Sequence, residues 1–100
     1  MKEIHIQRQI LEWLTWKKIF HYRQNSGAFR TNNNTRMYWF GAKGSPDIVC
    51  VINGQYVGIE VKMPKNGLTE HQVSFKYNLE MAGGKYIIAF CLEDVISNIG

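Results

Sequence analysis

Three side chains of this chain, Asp47, Glu60 and Lys62, have the types and the spacing of a divalent-metal site. Asp47 begins an apolar run that is followed by Asn53-Gly54, a dipeptide that suits a two-residue hairpin turn because both positions tolerate positive φ. The returning strand brings Glu60 alongside Asp47. Glu60 and Lys62 are two residues apart, so they point to the same face of that strand. All three side chains can therefore converge.

Two carboxylates and an ammonium group at one point suit metal-dependent hydrolysis of a phosphodiester. That reaction needs an attacking water, neutralisation of charge on the phosphoryl oxygens and help for the leaving oxygen. Mg²⁺ prefers oxygen ligands and keeps several waters, so one or two carboxylates are enough to bind it. We expect Asp47 and Glu60 to be catalytic metal ligands, and Lys62 to orient the water or to neutralise the phosphate. In the structural alternative, Asp47 is a turn residue and Lys62 forms an ion pair with Glu60.

The elements that must position these residues follow from hydrophobic periodicity and from turn residues. Apolar residues recur at helical spacing from Lys2 to about Ile19, which predicts an amphipathic helix. Thr69 with Gln72 three residues later forms a capping box, and it predicts a helix to Ala82 that Gly83-Gly84 ends. The other predicted elements are a strand from Phe20 to Arg23, a mobile loop at 30–36, a short strand or anchor at Met37–Phe40, the hairpin strands Asp47–Ile52 and Gln55–Lys62, a buried strand Lys85–Cys91 and a final helix from Glu93 or Asp94.

This order of elements predicts one α/β domain over residues 1–100, with α/β/α layers and a central mixed sheet. No repeat, linker or low-complexity segment divides the chain. No apolar run reaches the ~18 residues that span a bilayer, and the N-terminus lacks a secretory pattern. Cys50 and Cys91 lie in apolar runs without metal-ligand spacing, so we expect buried free thiols in a reducing, cytoplasmic compartment.

The motif resembles a known family of nucleases. An Asp at the head of a hairpin strand and Glu-x-Lys on the next strand resemble the PD-(D/E)xK nuclease superfamily. Gly44-Ser45-Pro46-Asp47, the helix glutamine Gln72 and an N-terminal helix with Glu3 and Gln7 are similar to its VRR-NUC branch, the virus-type replication-repair nucleases. The likeness extends from Glu3 to about Cys91. It implies a PD-(D/E)xK nuclease-like core and metal-dependent endonuclease activity.

The resemblance also implies further site residues. It makes the Val61 carbonyl and Glu3 additional metal ligands, Gln72 an active-site residue, and Gln7 a neighbour of the same site. The residues themselves allow simpler roles. Glu3 can stabilise a helix dipole, and Gln72 can satisfy the backbone donor of Thr69 in the capping box. His5, His21 and His71 have no metal-ligand spacing among themselves, which favours surface or capping roles.

A strongly basic segment indicates a polyanionic partner. The net charge is +4, but between Trp13 and Pro46 there are six basic residues and no acidic one. Phosphate backbone is the usual partner for such a segment, although a solvated surface is the alternative. We expect Arg30, Arg36, Lys43 and Lys65 to contact DNA.

The expected function is a Mg²⁺-dependent DNA endonuclease, with Mn²⁺ able to replace Mg²⁺. A non-catalytic nucleic-acid-binding module on the same fold, an RNA-directed enzyme and a nuclease with little structure selectivity are the alternatives. Symmetric cutting of two strands by a chain with one active site needs two copies, so we expect a homodimer. The aromatic residues exceed what one small core readily buries, which suits a subunit interface. Small stand-alone phage and bacterial members of the family imply a substrate of branched DNA, such as the four-way (Holliday) junction of DNA repair.

Overall fold

The computed structural model describes residues 2–24, 27–30, 37–40 and 42–99, and of residues 27–30 and 37–40 it describes the backbone. Three helices and six strands are formed within these ranges. The helices are α1 (Glu3–Trp16), α2 (Glu70–Met81) and α3 (Leu92–Ile99). The strands are β1 (His21–Arg23), β2 (Gly27–Arg30), β3 (Met37–Phe40), β4 (Ile48–Ile52), β5 (Gln55–Val61) and β6 (Lys85–Ala89).

Four of the strands form one mixed sheet in the order β1-β4-β5-β6. β1 and β5 run antiparallel to β4, whereas β6 runs parallel to β5. Asn53 and Gly54 form the predicted hairpin turn, with φ values of 51° and 80°. β2 and β3 pair antiparallel as a separate two-stranded ribbon. The predicted α/β class and the mixed sheet are therefore confirmed.

One face of the sheet carries the hydrophobic core. Alternate residues of β4, β5 and β6 point to this face, where they meet the buried sides of α1 and α3. Burial of this apolar surface is the main favourable contribution to folding. The core residues are Ile6, Ile10, Leu14, Ile48, Cys50, Val57, Ile59, Val61, Ile87, Ala89 and Val95.

The opposite face of the sheet is more polar, and α2 packs against it. Tyr86 points to this face, and its ring centroid lies 6.1 Å from that of Phe75 in α2. Glu60 occupies the same face because its parity on β5 is opposite to that of Ile59 and Val61. α2 contributes no fully buried residue. Its N-terminus has the predicted capping box, in which the Thr69 amide donates to Gln72 Oε1 at 2.9 Å.

The N-terminal helix is shorter than predicted, ending at Trp16 instead of about Ile19. Lys18 adopts a left-handed conformation with φ of 59°. This lets the Lys18 amide donate to the Thr15 carbonyl and the Ile19 amide donate to the Leu14 carbonyl, both at 3.0 Å. The pair of bonds is a Schellman motif that ends the helix.

Other boundaries also differ from the sequence predictions. β6 ends at Ala89 instead of Cys91, because the Phe90 amide turns away to donate to Asp94 Oδ2 at 2.8 Å. α3 accordingly begins at Leu92, before the predicted Glu93 or Asp94. The strand β2 was not predicted, whereas Met37–Phe40 does form a short strand. The predicted mobile loop was to begin at Arg30, which is instead the last residue of β2, and its other residues, 31–36, lie outside the described residues.

Both cysteines are free, but only Cys50 is buried as predicted. Cys91 is half-buried, because it follows the end of β6 and so lies outside the sheet. No helix among the described residues has both the length and the apolar character needed to cross a membrane.

The packing of Pro46 on β5 generates a prediction about Gly58. Pro46 is fully buried, and a Cβ atom added at Gly58 would lie 2.5 Å from its Cγ atom. Gly58→Ala should therefore lower the free energy of unfolding by about 1–3 kcal/mol, measured by urea denaturation. The matched control is Gly67→Ala, because a Cβ there meets no atom within 4 Å. Equal effects of the two substitutions would contradict the packing argument.

Candidate functional site

Asp47 is held in place from two strands. It precedes β4, and its backbone carbonyl accepts a hydrogen bond of 2.8 Å from the Gln24 amide, just after β1. Its carboxylate Oδ2 accepts a hydrogen bond of 2.9 Å from the Val61 amide at the end of β5. A carboxylate bonded to a fixed backbone amide has little freedom to rotate. The Asp47 side chain is therefore directed towards the carboxyl end of β5.

The residues before Asp47 connect it to the start of α2. Gly44 has φ of 80°, and a Cβ atom at this position would collide with the backbone of His71 and Gln72. Only glycine combines this left-handed conformation with so close an approach. Ser45 and Pro46, which follow, are both buried. The motif read from the sequence as Gly44-Ser45-Pro46-Asp47 is thus a rigid connection between α2 and the sheet.

Glu60 lies beside Asp47, as the hairpin predicts. Glu60 is only 6% exposed, and its carboxyl group is close enough to that of Asp47 for their ionisation to be linked. Burial, and then the negative charge of Asp47, raise the pKa of Glu60 to about 8. Burial is also the largest cause of the raised pKa of Asp47, against which the hydrogen bond from Val61 acts. The site therefore holds two carboxyl groups that cannot both ionise cheaply without a cation.

Lys62 is the positive charge nearest in sequence to this pair. Its amide donates to the Ala89 carbonyl at 3.0 Å, which fixes the backbone beyond the end of β5. The charge of its side chain acts to lower the pKa of both Asp47 and Glu60. The Lys62 charge therefore acts on the carboxyl pair from the residue that follows β5.

Glu3 approaches the same site from the first turn of α1. Its charge raises the pKa of both Asp47 and Glu60. Among the described residues, however, no group of three Asp, Glu, His or Cys side chains is placed to hold a metal ion together. Gln7, one helical turn after Glu3, has a buried Oε1 atom without a hydrogen-bond partner in the described part of the chain.

These donors fit a hard divalent cation. Two neighbouring carboxylates can supply the protein oxygens that Mg²⁺ needs, while water completes its coordination. A cation would also relieve the repulsion that raises the pKa of Glu60. Val61, which the family resemblance makes a carbonyl ligand, contributes its amide to Asp47 and lies at the same point of the sheet.

Gln72 serves the cap of α2. Its side-chain Oε1 atom accepts a hydrogen bond from the Thr69 backbone amide. The Gln72 backbone amide donates to Thr69 Oγ1 at 3.2 Å. Its backbone also lies against Gly44, only three residues before Asp47. The capping role that the sequence allowed is therefore confirmed. An active-site role would have to use the side-chain nitrogen, which the cap does not engage.

Tyr86 belongs to the surroundings of the site, and the sequence analysis missed it. Its hydroxyl donates to the Gly44 carbonyl at 3.3 Å. Burial is the largest cause of its raised pKa, followed by the charges of Glu60 and Asp47. The signal that could have found it is a hydroxyl group next to the apolar residues of β6. Its position depends on the parallel pairing of Tyr86 with Gly58, which no local pattern reveals.

Of the four residues expected to contact DNA, the structure describes the side chains of Lys43 and Lys65. Lys43 and Lys65 are both exposed, in the segments before Gly44 and after β5. Arg30 is the last residue of β2, and Arg36 lies outside the described residues. The chain matches no known family model, and no curated protein sequence is similar to it.

The raised pKa of Glu60 predicts how stability depends on pH without a metal. The unfolded chain loses this proton near pH 4.5, whereas the folded protein keeps it until about pH 8. The free energy of unfolding should therefore fall as pH rises through that window. Glu60→Gln removes the titrating group. In EDTA, the free energy of unfolding of this variant should exceed that of the original protein by an amount that grows by about 1–3 kcal/mol between pH 5 and pH 8.

Urea denaturation at a series of pH values measures this gain. Glu12→Gln is the matched control, because it removes a carboxylate from an exposed position of α1. A gain from Glu60→Gln that is the same at pH 5 and at pH 8 would contradict the assignment.

Proposed function

We propose that this chain is a Mg²⁺-dependent DNA endonuclease of the VRR-NUC branch of the PD-(D/E)xK superfamily. The observation that carries the proposal is the pair of carboxyl groups of half-buried Asp47 and buried Glu60, on which the charge of Lys62 acts. A protein that needed this region only for folding would gain stability by replacing one of the two acids. Such a costly arrangement is typical of a catalytic or metal-binding site.

Asp47 and Glu60 are the residues proposed to hold the metal, with Glu3 from α1 and the Val61 carbonyl as further oxygen donors, and with Gln7 and Gln72 beside the site. A bound divalent cation would supply charge neutralisation at the scissile phosphate and an activated water. Lys62 is proposed to orient the attacking water or to neutralise the phosphate. The fixed backbone at Val61 and Ala89 limits the freedom of Glu60 and Lys62, which favours a preorganised site.

DNA is the proposed substrate, and branched DNA such as a four-way junction is the proposed form. The segment from Lys17 to Lys43 contains six basic residues and no acidic residue, which favours a phosphate backbone as partner. We also propose that two copies act together as a homodimer in the cytoplasm of a bacterial or phage-infected cell. One active site per chain then supplies one cut in each of two strands.

One experiment separates this function from its alternatives. The protein is incubated with linear, nicked, flapped and four-way-junction DNA and with RNA, in Mg²⁺, in Mn²⁺ and in EDTA. Paired, symmetric nicks in the junction that require the cation support the full proposal. Equal cutting of plain duplex would reduce it to a nuclease without structure selectivity. Binding without cleavage under every condition would leave a nucleic-acid-binding module.

Removal of either central carboxylate should separate catalysis from binding. Asp47→Ala and Glu60→Ala should reduce the cleavage rate at least about a hundredfold but leave DNA affinity nearly unchanged, because phosphate contacts elsewhere dominate affinity. In addition, Mg²⁺ should raise the Tm of the original protein at pH 7.5 and should fail to raise that of either variant.

The matched control for these variants is Glu70→Gln, an exposed acid in the first turn of α2. It should keep both the cleavage rate and the Mg²⁺-dependent rise in Tm. Cleavage at the original rate by either alanine variant would show that the site is assigned wrongly.

The basic residues should determine how salt affects DNA binding. Replacing Arg30, Arg36 and Lys43 together by Gln should weaken binding, and each lost phosphate contact should reduce the slope of log K against log salt by about 0.9. Fluorescence anisotropy with labelled duplex at several salt concentrations measures the slope. Lys76→Gln is the control, because this lysine is paired with Glu80 at 3.0 Å on α2. An unchanged slope in the triple variant would mean that these residues do not face DNA.

A further inference from the structure

An open groove of about 750 Å³ lies on the α1 and α3 side of the molecule. We call it the acidic aromatic groove. Its walls come from the outer side of α1, from the residues after β5, and from the junction between β6 and α3. The lining residues that matter for its chemistry are Trp13, Trp16, Phe90, Leu92, Glu12 and Glu93.

The groove combines apolar walls with a net negative charge. Trp16 is 75% exposed and Phe90 is 41% exposed, so both offer apolar surface to an incoming group. Glu12 and Glu93 approach from two different helices, and neither forms an ion pair among the described residues. The Lys17 ammonium lies 5.9 Å from the ring centroids of both Trp13 and Trp16. Two carboxylates against one ammonium leave the groove acidic, and the indole rings accept a cation.

This chemistry selects the kind of ligand. Two carboxylates repel a phosphate backbone, so the groove is unsuited to the DNA that the rest of the chain attracts. A peptide segment with aromatic residues and flanking arginines fits instead. The aromatic residues supply apolar area, while the guanidinium groups pair with Glu12 and Glu93 or stack on the indoles.

The chain itself contains such a segment. β3 consists of Met37, Tyr38, Trp39 and Phe40, and it is preceded in sequence by Arg36. Its antiparallel partner β2 ends in Arg30, which pairs in register with Met37. The two strands form a sheet of their own, separate from the four-stranded sheet. A two-stranded ribbon is at best marginally stable in water unless it packs against another surface.

We infer that the acidic aromatic groove binds the β2–β3 ribbon of a second copy of this chain, and that the exchange is reciprocal. The inference rests on the homodimer proposed above and names its interface. It assigns Arg30 and Arg36 to the partner's groove in place of DNA, and it leaves the DNA contacts to Lys43 and Lys65. In a two-fold dimer each groove receives the ribbon of the partner, so both copies of the contact form together. The charges are complementary, because the ribbon is basic and the groove is acidic.

A charge-exchange experiment tests this interface. The groove variant carries Glu12→Arg and Glu93→Arg, and the ribbon variant carries Arg30→Glu and Arg36→Glu. In each variant alone, groove and ribbon have the same sign of charge, so dimer dissociation constants should rise at least about tenfold. Sedimentation velocity without DNA, over micromolar concentrations, measures them. An equimolar mixture of the two variants should form a heterodimer, because each of its two contacts is again complementary.

The control surface is on α2, where Val73, Tyr77 and Met81 form an exposed apolar stripe. Tyr77→Glu should leave the dimer intact. Thermal unfolding verifies that each variant is folded. Trp16→Ala serves as a second groove variant, since a residue that is 75% exposed is removed without disturbing the core, and it too should weaken the dimer.

The labelling rate of Cys91 gives an independent readout, because this thiol lines the same groove. A maleimide should react at least several-fold more slowly with the dimer than with the ribbon variant, which leaves every residue near Cys91 unchanged. Cys50 is buried, and mass spectrometry distinguishes the two sites.

The outcomes separate this inference from the proposed nuclease. A dimer that survives the groove substitutions, or that Tyr77→Glu dissociates, would overturn the interface but not the dimer. A mixture of the charge variants that stays monomeric would also overturn it. An original protein that remains a monomer at 100 µM would overturn both the interface and the dimer, while cleavage by that monomer would leave the nuclease proposal standing. Protection of Cys91 by a single-stranded oligonucleotide in place of a second copy would assign the groove to nucleic acid.

Discussion

The hydrogen bond from the Val61 amide to the Asp47 carboxylate is the interaction on which the candidate site depends. It joins the residue before β4 to the end of β5 and thereby fixes Asp47 next to Glu60. The bond also lowers the pKa of Asp47 against the effect of burial. Glu60 has no comparable backbone donor among the described contacts, and it keeps its proton to about pH 8. The Val61 amide thus favours the charged form of Asp47, whereas burial and the Asp47 charge favour the protonated form of Glu60.

The surrounding structure holds this pair at a cost in stability. Ionising both carboxyl groups at this site would destabilise the fold, and a rigid backbone prevents them from separating. Pro46 packs over Gly58, and Gly44 packs against the start of α2, so the segment that carries Asp47 cannot move away. Proteins depart from the most stable choice mainly at functional sites, where the strain serves a ligand or a reaction. The local conflict is therefore evidence about function as well as about folding.

Local signals predicted the elements that position Asp47 and Glu60, whereas non-local contacts determined what the sequence analysis missed. Asn53-Gly54 and the Thr69 capping box act within a few residues, and both formed as predicted. Tyr86 joins the site only because β6 pairs with β5, far away in sequence. β2 is only four residues long and pairs with β3, so the pattern of its own residues is too short to predict a strand. The end of α1 depends on the left-handed backbone conformation of Lys18. Glycine adopts that conformation readily and lysine does not, so the residue type gave no signal.

The uneven packing of the two sheet faces bears on how the site can work. α1 and α3 bury a continuous apolar core, whereas α2 contributes no fully buried residue and is held by Phe75, by its cap and by Gly44. Elements that bury little apolar surface open at a lower free-energy cost than the core does. α2 should therefore separate from the sheet at a lower free-energy cost than the α1 and α3 layer, with loss of its contacts to Gly44 and Tyr86. Asp47 would keep its bonds to Gln24 and Val61 in that movement, because neither partner belongs to α2. The backbone hydrogen bonds that position Asp47 therefore belong to the sheet and its adjoining residues, and not to α2.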